Sequence, residues 1–318
     1  MITVISGGVG AARLLRGTAL VVPHDELVTV VNTGDDTIMH GLSISPDLDT
    51  VTYTVSDSID PERGWGLADE AWTTMQALER FADVKPESSR AGENWFGLGN
   101  RDLATHFYRT SRLAEGATLA EVTAEITQAF GIGFRVVPMC NERVSTIVIL
   151  ADGTEVAFQE YFVKLRHAVP VRAVRFDGAP AANFLAHDEL EHSRAVIIAP
   201  SNPIVSIGPM RALAGFDETL TARRDSVVAV SPIVAGSALK GPADRMLTEL
   251  GHEASVVGVA RLYAPIAGTL VIDTADAALA GDVEAAGMKC VIADTIMKSA
   301  QVSADLTRTC LAAVGVPT

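Results

Sequence analysis

The chain has 318 residues, of which 48% are hydrophobic, 20% charged and 5% aromatic. This length can bury a large core, and the composition excludes a disordered chain, a collagen-like repeat and a small disulfide scaffold. The formal net charge of −14 gives a surface that repels nucleic-acid phosphates, so we expect no nucleic-acid partner.

Hydropathy and cysteine usage indicate where the protein works. The mean hydropathy is +0.26, but apolar runs such as Val227–Val230 are far shorter than a membrane-spanning helix, so we expect no membrane partner. The N-terminus has no basic start typical of a signal peptide. Cys140, Cys290 and Cys310 are far apart and form no CxxC pair. We therefore expect a cytoplasmic protein without disulfides.

Short β-branched runs alternate with segments of helical periodicity along the chain. The predicted strands are Ile2–Ile5, Leu27–Val31, Ala195–Ala199, Val227–Ser231, Thr269–Ile272 and Lys289–Ala293. The predicted helices are Ala11–Gly17, Ala68–Phe81, Leu119–Phe130, Ala243–Leu250, Ala275–Ala286 and Ser303–Ala313. This alternation predicts an α/β fold with a doubly wound, mainly parallel sheet.

Residues 64–131 differ from the rest of the chain. They are predicted to form a mostly helical insertion, which leaves residues 1–63 and 132–318 as a nucleotide-binding core. The insertion holds all three tryptophans, which at such positions are more often core residues than a ligand stack, although a flat aromatic substrate would suit them. Residues 144–162 predict two strands around an Asp152-Gly153 turn, and Phe158–Phe162 has the alternation of a strand.

A glycine-rich loop follows the first strand. Gly7, Gly8 and Gly10 allow a phosphate to approach the backbone, and the helix that follows favours an anion at its N-terminus. Arg13 replaces the last glycine of the dinucleotide fingerprint, and Asn32 stands where its ribose-binding acid is expected. The loop therefore fits a mononucleotide or a diphosphate better than a nicotinamide cofactor. A tight turn without a ligand is the alternative.

Four carboxylates cluster after the second strand, at residues 35, 36, 47 and 49. Ligands bind at the carboxyl ends of strands in open α/β sheets, and like charges without cationic neighbours favour a hard cation such as Mg²⁺. We predict metal binding by Asp35 or Asp49. Asp36 and Asp47 are also typical of helix caps and turns.

Two later loops follow predicted strands and precede helices. The segment with Ser201, Asn202, Pro203 and Ser206 is typical of a backbone anion nest. The segment from Ser231 to Lys240 lacks the spacing of a P-loop, so Lys240 is either a phosphate contact or a surface lysine. In a third segment, Arg101 and Asp102 can pair at a helix start and His106 can be a structural histidine.

Taken together, these loops resemble one family, the CofD family of 2-phospho-L-lactate transferases and their phosphoenolpyruvate-using bacterial relatives. The matching segments are Gly7-Gly-Val-Gly10, Arg13-Leu-Leu-Arg-Gly17, Asn32-Thr-Gly-Asp-Asp36, Ser45-Pro-Asp-Leu-Asp-Thr50, Gly97-Leu-Gly-Asn-Arg-Asp-Leu-Ala-Thr-His106, Phe158-Gln-Glu-Tyr161, Pro200-Ser-Asn-Pro203, Ser206-Ile-Gly208, Ser231-Pro-Ile233 and Lys240-Gly-Pro242. Each segment alone is weak, but their order over nearly the whole chain is specific.

The resemblance implies a Rossmann-like core and an Mg²⁺-dependent enzyme, often a homodimer. Family members transfer a phospholactyl or phosphoenolpyruvyl group from a guanosine-diphosphate-linked donor to the ribityl hydroxyl of the deazaflavin Fo. They release GMP, and the product belongs to coenzyme F-420 biosynthesis. The sequence does not identify the three-carbon acid of the donor.

The resemblance also assigns roles to the candidate residues. The loops with Gly7, Gly8, Gly10 and Arg13, and with Ser201, Asn202, Pro203 and Ser206, are expected to hold the diphosphate; Asn32, Ser231 and Lys240 are expected to contact the nucleotide. Asp49 and Asp35 are the expected Mg²⁺ ligands and catalytic carboxylates, with proton acceptance as a competing role for Asp49. The residues expected to contact Fo are Asp49, Thr50, Arg101 and His106.

One departure from the family pattern and two rival functions remain. The family usually has Asp where this chain has Asn100, which matters only if that carboxylate carries charge rather than capping a helix. A related branch of YvcK-like regulators shares the glycine-rich loop but binds nucleotide sugars without catalysis. A nicotinamide dehydrogenase is the third reading, and Arg13 and Asn32 argue against it.

Overall fold

The computed structural model describes residues 1–317. The strands are β1 Ile2–Ser6, β2 Leu27–Val31, β3 Thr37–Met39, β4 Leu42–Ile44, β5 Arg135–Pro138, β6 Ser145–Leu150, β7 Glu155–Ala157, β8 Val171–Asp177, β9 Ala195–Ile198, β10 Val227–Val230, β11 Ile233–Val234, β12 Ser237–Ala238, β13 Thr269–Asp273 and β14 Lys289–Ala293. The α-helices are α1 Gly8–Thr18, α2 Pro46–Val55, α3 Thr73–Glu79, α4 Asp102–Ala114, α5 Leu119–Ala129, α6 His187–His192, α7 Gly208–Arg211, α8 Phe216–Ala222, α9 Ala243–Glu249, α10 Val256–Tyr263, α11 Ala280–Ala285 and α12 Ala300–Ala313.

Seven parallel strands form the central sheet in the order β14-β13-β10-β9-β1-β2-β5. From β1 the chain winds outward through β2 to β5, and from β9 it winds the other way through β10 and β13 to β14. The direction of winding therefore reverses between β1 and β9, which makes this junction the topological switch point. The predicted doubly wound α/β fold is confirmed.

The central strands are buried on both faces because helices cover both sides of the sheet. Every residue of β1, β2, β9 and β10 is buried, which explains their nearly continuous runs of Val, Ile and Leu. On one face, α12 packs on α1, where the Cα of Gly17 faces the backbone of Ser303 and the hydroxyls of Thr18 and Thr307 lie 3.0 Å apart. Each predicted central strand is present, with bounds that differ by at most one residue.

A small antiparallel sheet lies beside the core, in the order β7-β6-β8. The turn at Asp152 and Gly153 joins β6 to β7 as predicted. The prediction of a strand at Phe158–Phe162 is wrong, because a π-helix forms at Glu160–Lys164. The alternation of the segment reflects two aromatic rings that stack one turn apart, Phe158 and Phe162. Strands β5 and β8 were not predicted.

The predicted insertion is only partly helical. The helix predicted at Ala68–Phe81 is confined to α3, and no helix forms between α3 and α4. Leu119 of α5 packs in the same apolar cluster as strand residues of the central sheet, so α5 covers the sheet edge at β5. The division into a core of residues 1–63 and 132–318 and an insertion of residues 64–131 stays a prediction. Residue 318 of that core lies outside the described residues. Across residues 1–317, no helix has the length and apolar character needed to cross a bilayer.

Candidate functional site

A cavity of about 700 Å³ opens at the carboxyl edge of the central sheet, over the switch point. Its lining comes from the loops that follow β1, β2, β9, β10 and β14, from the first turn of α2, and from the insertion. Parallel strands bring their carboxyl ends to one edge, which is why segments far apart in sequence meet here. The volume suits a ligand of nucleotide size.

The loops after β1 and β9 pack directly against each other at the floor of the cavity. The backbone amide of Gly7 donates to the Ser201 hydroxyl oxygen at 3.2 Å. A Cβ at Gly10 would lie 2.3 Å from the carbonyl oxygen of Pro200, and one at Gly7 would lie 2.6 Å from the Cβ of Ser206. These glycines are required by the close approach of the two loops, as well as by any ligand.

The same floor favours an anion. Helix α1 begins at Gly8, and its N-cap residue Gly7 provides no side-chain cap. A hydrogen bond from the Gly8 amide lowers the pKa of Asp47, and the dipole of the helix favours an anion at this end. Arg13 and Lys240 also line the cavity, and neither has a carboxylate partner within residues 1–317. Burial and the nearby Arg13 lower the pKa of Lys240. Two cations without a carboxylate partner beside the start of α1 suit phosphate groups, and phosphate binding here stays a prediction.

Two carboxylates, Asp35 and Asp47, line the cavity next to this floor. Asn32 lies between them. Its side-chain nitrogen donates to Oδ2 of Asp47 at 2.9 Å, and its side-chain oxygen Oδ1 accepts from the Gly34 amide at 2.9 Å. Burial raises the pKa of Asp35 well above its usual range, and the charge of Asp47 raises it further. Burial also raises the pKa of Asp47 to about 6. The two carboxylates therefore repel each other where water is scarce.

This pair fits a hard divalent cation. Oδ1 of Asp35 is buried and has no hydrogen-bond partner among the described residues. Carboxylate oxygens are the ligands that Mg²⁺ prefers. Burial is the main cause of both raised pKa values, and a cation bound between the two carboxylates would stabilise their charged forms. The donor set is thus consistent with the magnesium ion that the family resemblance implies.

Asp49 lies in the same first turn of α2 as Asp47 but is engaged by Arg109 and does not line the cavity. It is 5% exposed, and Arg109 of α4 donates to both of its carboxylate oxygens, from Nη1 at 3.2 Å and also from Nη2. Ligand atoms of Asp49, Asp102 and His106 lie within 4.8 Å of one another, yet the guanidinium already compensates the charge of Asp49. Metal binding by Asp49 stays a prediction. Sequence reasoning missed Arg109, because a single arginine in a helix carries no signal.

Arg101 and His106 also lie outside the cavity lining. Arg101 is exposed and donates from Nη1 to the carbonyl oxygen of Ala68 at 2.8 Å. His106 is buried, with Nε2 3.1 Å from Oδ2 of Asp102, and the same carboxylate accepts from the Tyr53 hydroxyl at 2.6 Å. Nε2 of His106 makes no hydrogen bond to a described residue despite this short distance. The structural role of His106, and contact of either residue with Fo, stay predictions.

Asn100 contacts the start of α3. Its side-chain nitrogen donates to the Thr73 hydroxyl at 2.6 Å, and its carbonyl oxygen accepts from the Thr74 amide at 3.3 Å. An asparagine oxygen satisfies a free helix amide about as well as an aspartate oxygen. The geometry therefore favours the capping interpretation of this departure from the family pattern.

The remaining lining is aromatic and comes mostly from the insertion and the segment after β7. Its members are Trp65, Trp95, Phe96, Phe158 and Phe162. The rings of Phe158 and Phe162 stack with centroids 5.6 Å apart and an interplanar angle of 7°. Trp65 is 44% exposed, so the expectation that the tryptophans are core residues is wrong for this one. Such rings are suited to a flat aromatic ligand.

The structure brings together most of the residues predicted from sequence. Those that line the cavity are Gly7, Gly8, Gly10, Arg13, Asp35, Thr50, Ser201, Asn202, Ser206, Ser231 and Lys240. Those that do not are Asn32, Asp49, Arg101, His106 and Pro203. Asp47 was assigned only to capping and turn formation, and the aromatic residues and Gln159 were missed, because an isolated aromatic or amide has no spacing signal.

The fold and the site define a Rossmann-like α/β protein with a glycine-rich loop and a carboxylate pair at the switch point. The sequence profile of the family described as 2-phospho-L-lactate transferase CofD matches residues 2–310, and the chain belongs to this family.

Relatives named phosphoenolpyruvate transferase are similar to this chain over most of their length. It is 40% identical to a phosphoenolpyruvate transferase of Kitasatospora aureofaciens over 98% of this chain and 97% of that protein. It is 38% identical to a phosphoenolpyruvate transferase of Streptomyces griseus over the same shares, and 38% identical to one of Mycolicibacterium smegmatis over 86% of each chain.

A solved structure supports the fold. A UPF0052-family protein of Bacillus halodurans superimposes with a TM-score of 0.59 and 15% sequence identity, over 98% of both chains. At this identity the match concerns the architecture alone.

Proposed function

We propose that this protein transfers a phosphoenolpyruvyl group from a guanosine-diphosphate-linked donor to the ribityl hydroxyl of Fo, releasing GMP. The chain belongs to a family of transferases of coenzyme F-420 biosynthesis, as the family match over residues 2–310 shows. The donor acid is proposed because relatives across nearly the whole chain are phosphoenolpyruvate transferases.

One observation carries the proposal: a single cavity combines a phosphate-type floor with an aromatic wall. The start of α1, with Arg13 and Lys240, suits a diphosphate, and the rings around Phe158 and Phe162 suit a flat heterocycle. A transferase for these two substrates needs both surfaces within reach of each other, because the hydroxyl of one must approach the phosphorus of the other.

In the proposed mechanism the chain supplies positioning and charge. The amides at the start of α1 hold the diphosphate, and Arg13 and Lys240 neutralise it. Asp35 and Asp47 would hold Mg²⁺, and the ion would screen the charge that accumulates on the phosphoryl oxygens. The ribityl oxygen forms a bond to the phosphorus that bears the three-carbon acid, its proton passes to solvent, and the bond to the GMP oxygen breaks.

Asp49 contributes indirectly in this proposal, by its pairing with Arg109. The pair ties α2 to α4, and α2 carries Asp47 and Thr50 into the cavity. Wild-type turnover by Asp49→Asn with Mg²⁺ present would remove Asp49 from the mechanism altogether.

Asp47→Asn tests the metal site. We expect the Mg²⁺ concentration for half-maximal turnover to rise at least about 10-fold, because one charged oxygen ligand is lost. Asp25→Asn is the matched control, since Asp25 is exposed and remote from the cavity. An unchanged Mg²⁺ dependence would contradict the assignment of Asp47.

Mass spectrometry of the product identifies the donor. Fo is supplied with the phosphoenolpyruvyl, phospholactyl or phosphoglyceryl guanosine diphosphate, and we expect the dehydro product to form fastest. Product formation only from the lactyl donor would refute the choice of donor while leaving the family function in place.

The rival function is a non-catalytic regulator that binds nucleotide sugars. The aromatic wall favours the transferase, because a nucleotide sugar does not need a second flat-ring surface. A fluorescence titration with Fo separates the two functions, since a regulator of that kind would not bind Fo.

A further inference from the structure

One polar side chain interrupts the aromatic wall of the cavity. Gln159 lines the cavity between Phe158 and Phe162 and is 6% exposed. It directly precedes the π-helix and has helical backbone angles, φ −64° and ψ −35°. A buried amide on an aromatic surface is costly unless a partner satisfies it.

None of the hydrogen bonds described within residues 1–317 involves the side chain of Gln159. Its amide atoms are not among the fully buried polar atoms that lack a partner, so they stay accessible at the cavity that Gln159 lines. The other amide in the lining, Asn202, is engaged, because its carbonyl oxygen accepts from the Ile204 amide at 2.9 Å. Gln159 is therefore the amide that the cavity keeps for a ligand.

The backbone around Gln159 holds this amide in position. The next residue, Glu160, pairs with Lys164 at 2.8 Å, and Lys164 also lies 3.6 Å from Glu93 of the insertion. The first pair spans the π-helix from its first residue to its last, and the second ties the π-helix to the insertion. π-Helices of a single turn occur frequently at functional sites, where they direct a side chain.

A side-chain amide presents one donor and one acceptor side by side. Its complement is a lactam edge, in which a ring N–H stands next to a ring carbonyl. We propose that Gln159 is a specificity-determining residue that reads the lactam edge of a flat heterocycle lying against the aromatic wall. This inference rests on the proposed function, which supplies two ligands with such an edge: the guanine of the donor and the deazaflavin ring of Fo.

Binding measurements with three variants test the role of Gln159. Gln159→Met keeps the length and apolar volume but removes the amide, and Gln159→Glu keeps the shape but loses the N–H donors. Gln76→Met is the matched control, because Gln76 is exposed on α3 outside the cavity. Fluorescence titration gives the Kd of Fo, and calorimetry with Mg²⁺ gives the Kd of GDP.

We expect Gln159→Met and Gln159→Glu each to weaken one ligand about 10-fold while the other binds as in the wild type. The ligand that is weakened identifies the source of the lactam. Methylation of the lactam nitrogen of that ligand should weaken its binding to the wild type. The same methylation should leave its Kd for Gln159→Met unchanged, because the amide that reads the nitrogen is already absent. The control should bind both ligands normally.

Two results would overturn the inference while leaving the proposed function intact. One is wild-type affinity of both Gln159 variants for both ligands. The other is an equal loss for both ligands in both variants, which would mean a general disturbance of the cavity. If the wild-type protein binds neither Fo nor GDP, the proposed function itself fails and the inference fails with it.

Discussion

Asp36 is a buried carboxylate beside the acidic pair, and its protonation links stability to pH. Its Oδ2 accepts from the Ser45 hydroxyl at 2.7 Å, while Oδ1 has no partner among the described residues. Burial raises its pKa to about 8, although the hydrogen bond from Ser45 and the charge of Arg109 act in the opposite direction. The folded protein therefore holds this proton far more tightly than the unfolded chain does.

We expect Asp36→Asn to gain stability over the wild type as pH rises. The stabilisation from the retained proton is complete below about pH 4 and is lost as pH rises through about 8, because the unfolded chain binds no proton there. With a metal chelator present, the difference in melting temperature, variant minus wild type, should increase between pH 5 and pH 9. The exposed Asp83→Asn is the control. A difference that stays constant with pH would contradict the protonated state of Asp36.

At the scale of elements, the contact between the loops after β1 and β9 determines the floor of the cavity. We expect Gly10→Ala to destabilise the fold by about 1–3 kcal/mol, because its Cβ would overlap the Pro200 carbonyl. The same displacement should weaken GDP binding in calorimetry.

Gly281→Ala is the matched control for this effect. Gly281 lies in α11, and nothing is within 4 Å of its added Cβ. This substitution should stabilise the protein by about 0.4–1 kcal/mol and leave GDP binding unchanged. Equal effects of the two substitutions in urea denaturation would contradict the packing argument.

The buried pair of Asp49 and Arg109 joins α2 to α4. Arg109→Met removes the cation and leaves a buried carboxylate without compensation, so we expect a loss of about 3–5 kcal/mol in urea denaturation. The double variant Asp49→Leu/Arg109→Met should recover most of that loss, because no charge remains buried. A double variant as unstable as Arg109→Met would show that packing, and not charge, explains the effect.

For the whole molecule, the net charge of −14 opposes the approach of an anionic nucleotide, and only local features such as Arg13 and Lys240 counteract it. We therefore expect the association rate constant of GDP to increase with ionic strength in stopped-flow measurements, since salt screens the repulsive field. Uncharged guanosine should associate at a rate independent of salt. A GDP rate that falls as salt is added would mean that the local cations dominate the approach.

The sequence predicted the central sheet better than it predicted the site. Strands such as β2 and β14 were correct to the residue, because a strand buried on both faces has a continuous apolar run. The loops that line the floor of the cavity were recognised because glycines at a strand end have a characteristic spacing. Arg109 and Gln159 were not found, since their roles depend on which helix or loop packs against them. The segment at Phe158 was assigned to a strand because two rings one π-turn apart imitate alternation.

The packing of α12 on α1 has a consequence for folding of the chain during its own translation. The two hydroxyls that meet there belong to residues separated by 289 positions, and Gly17 leaves room for nothing larger beneath α12. A nascent chain emerging from the ribosome would thus expose the face of α1 that α12 covers until α12 itself has been translated. Ligand-binding competence should accordingly arise only when α12 docks on α1.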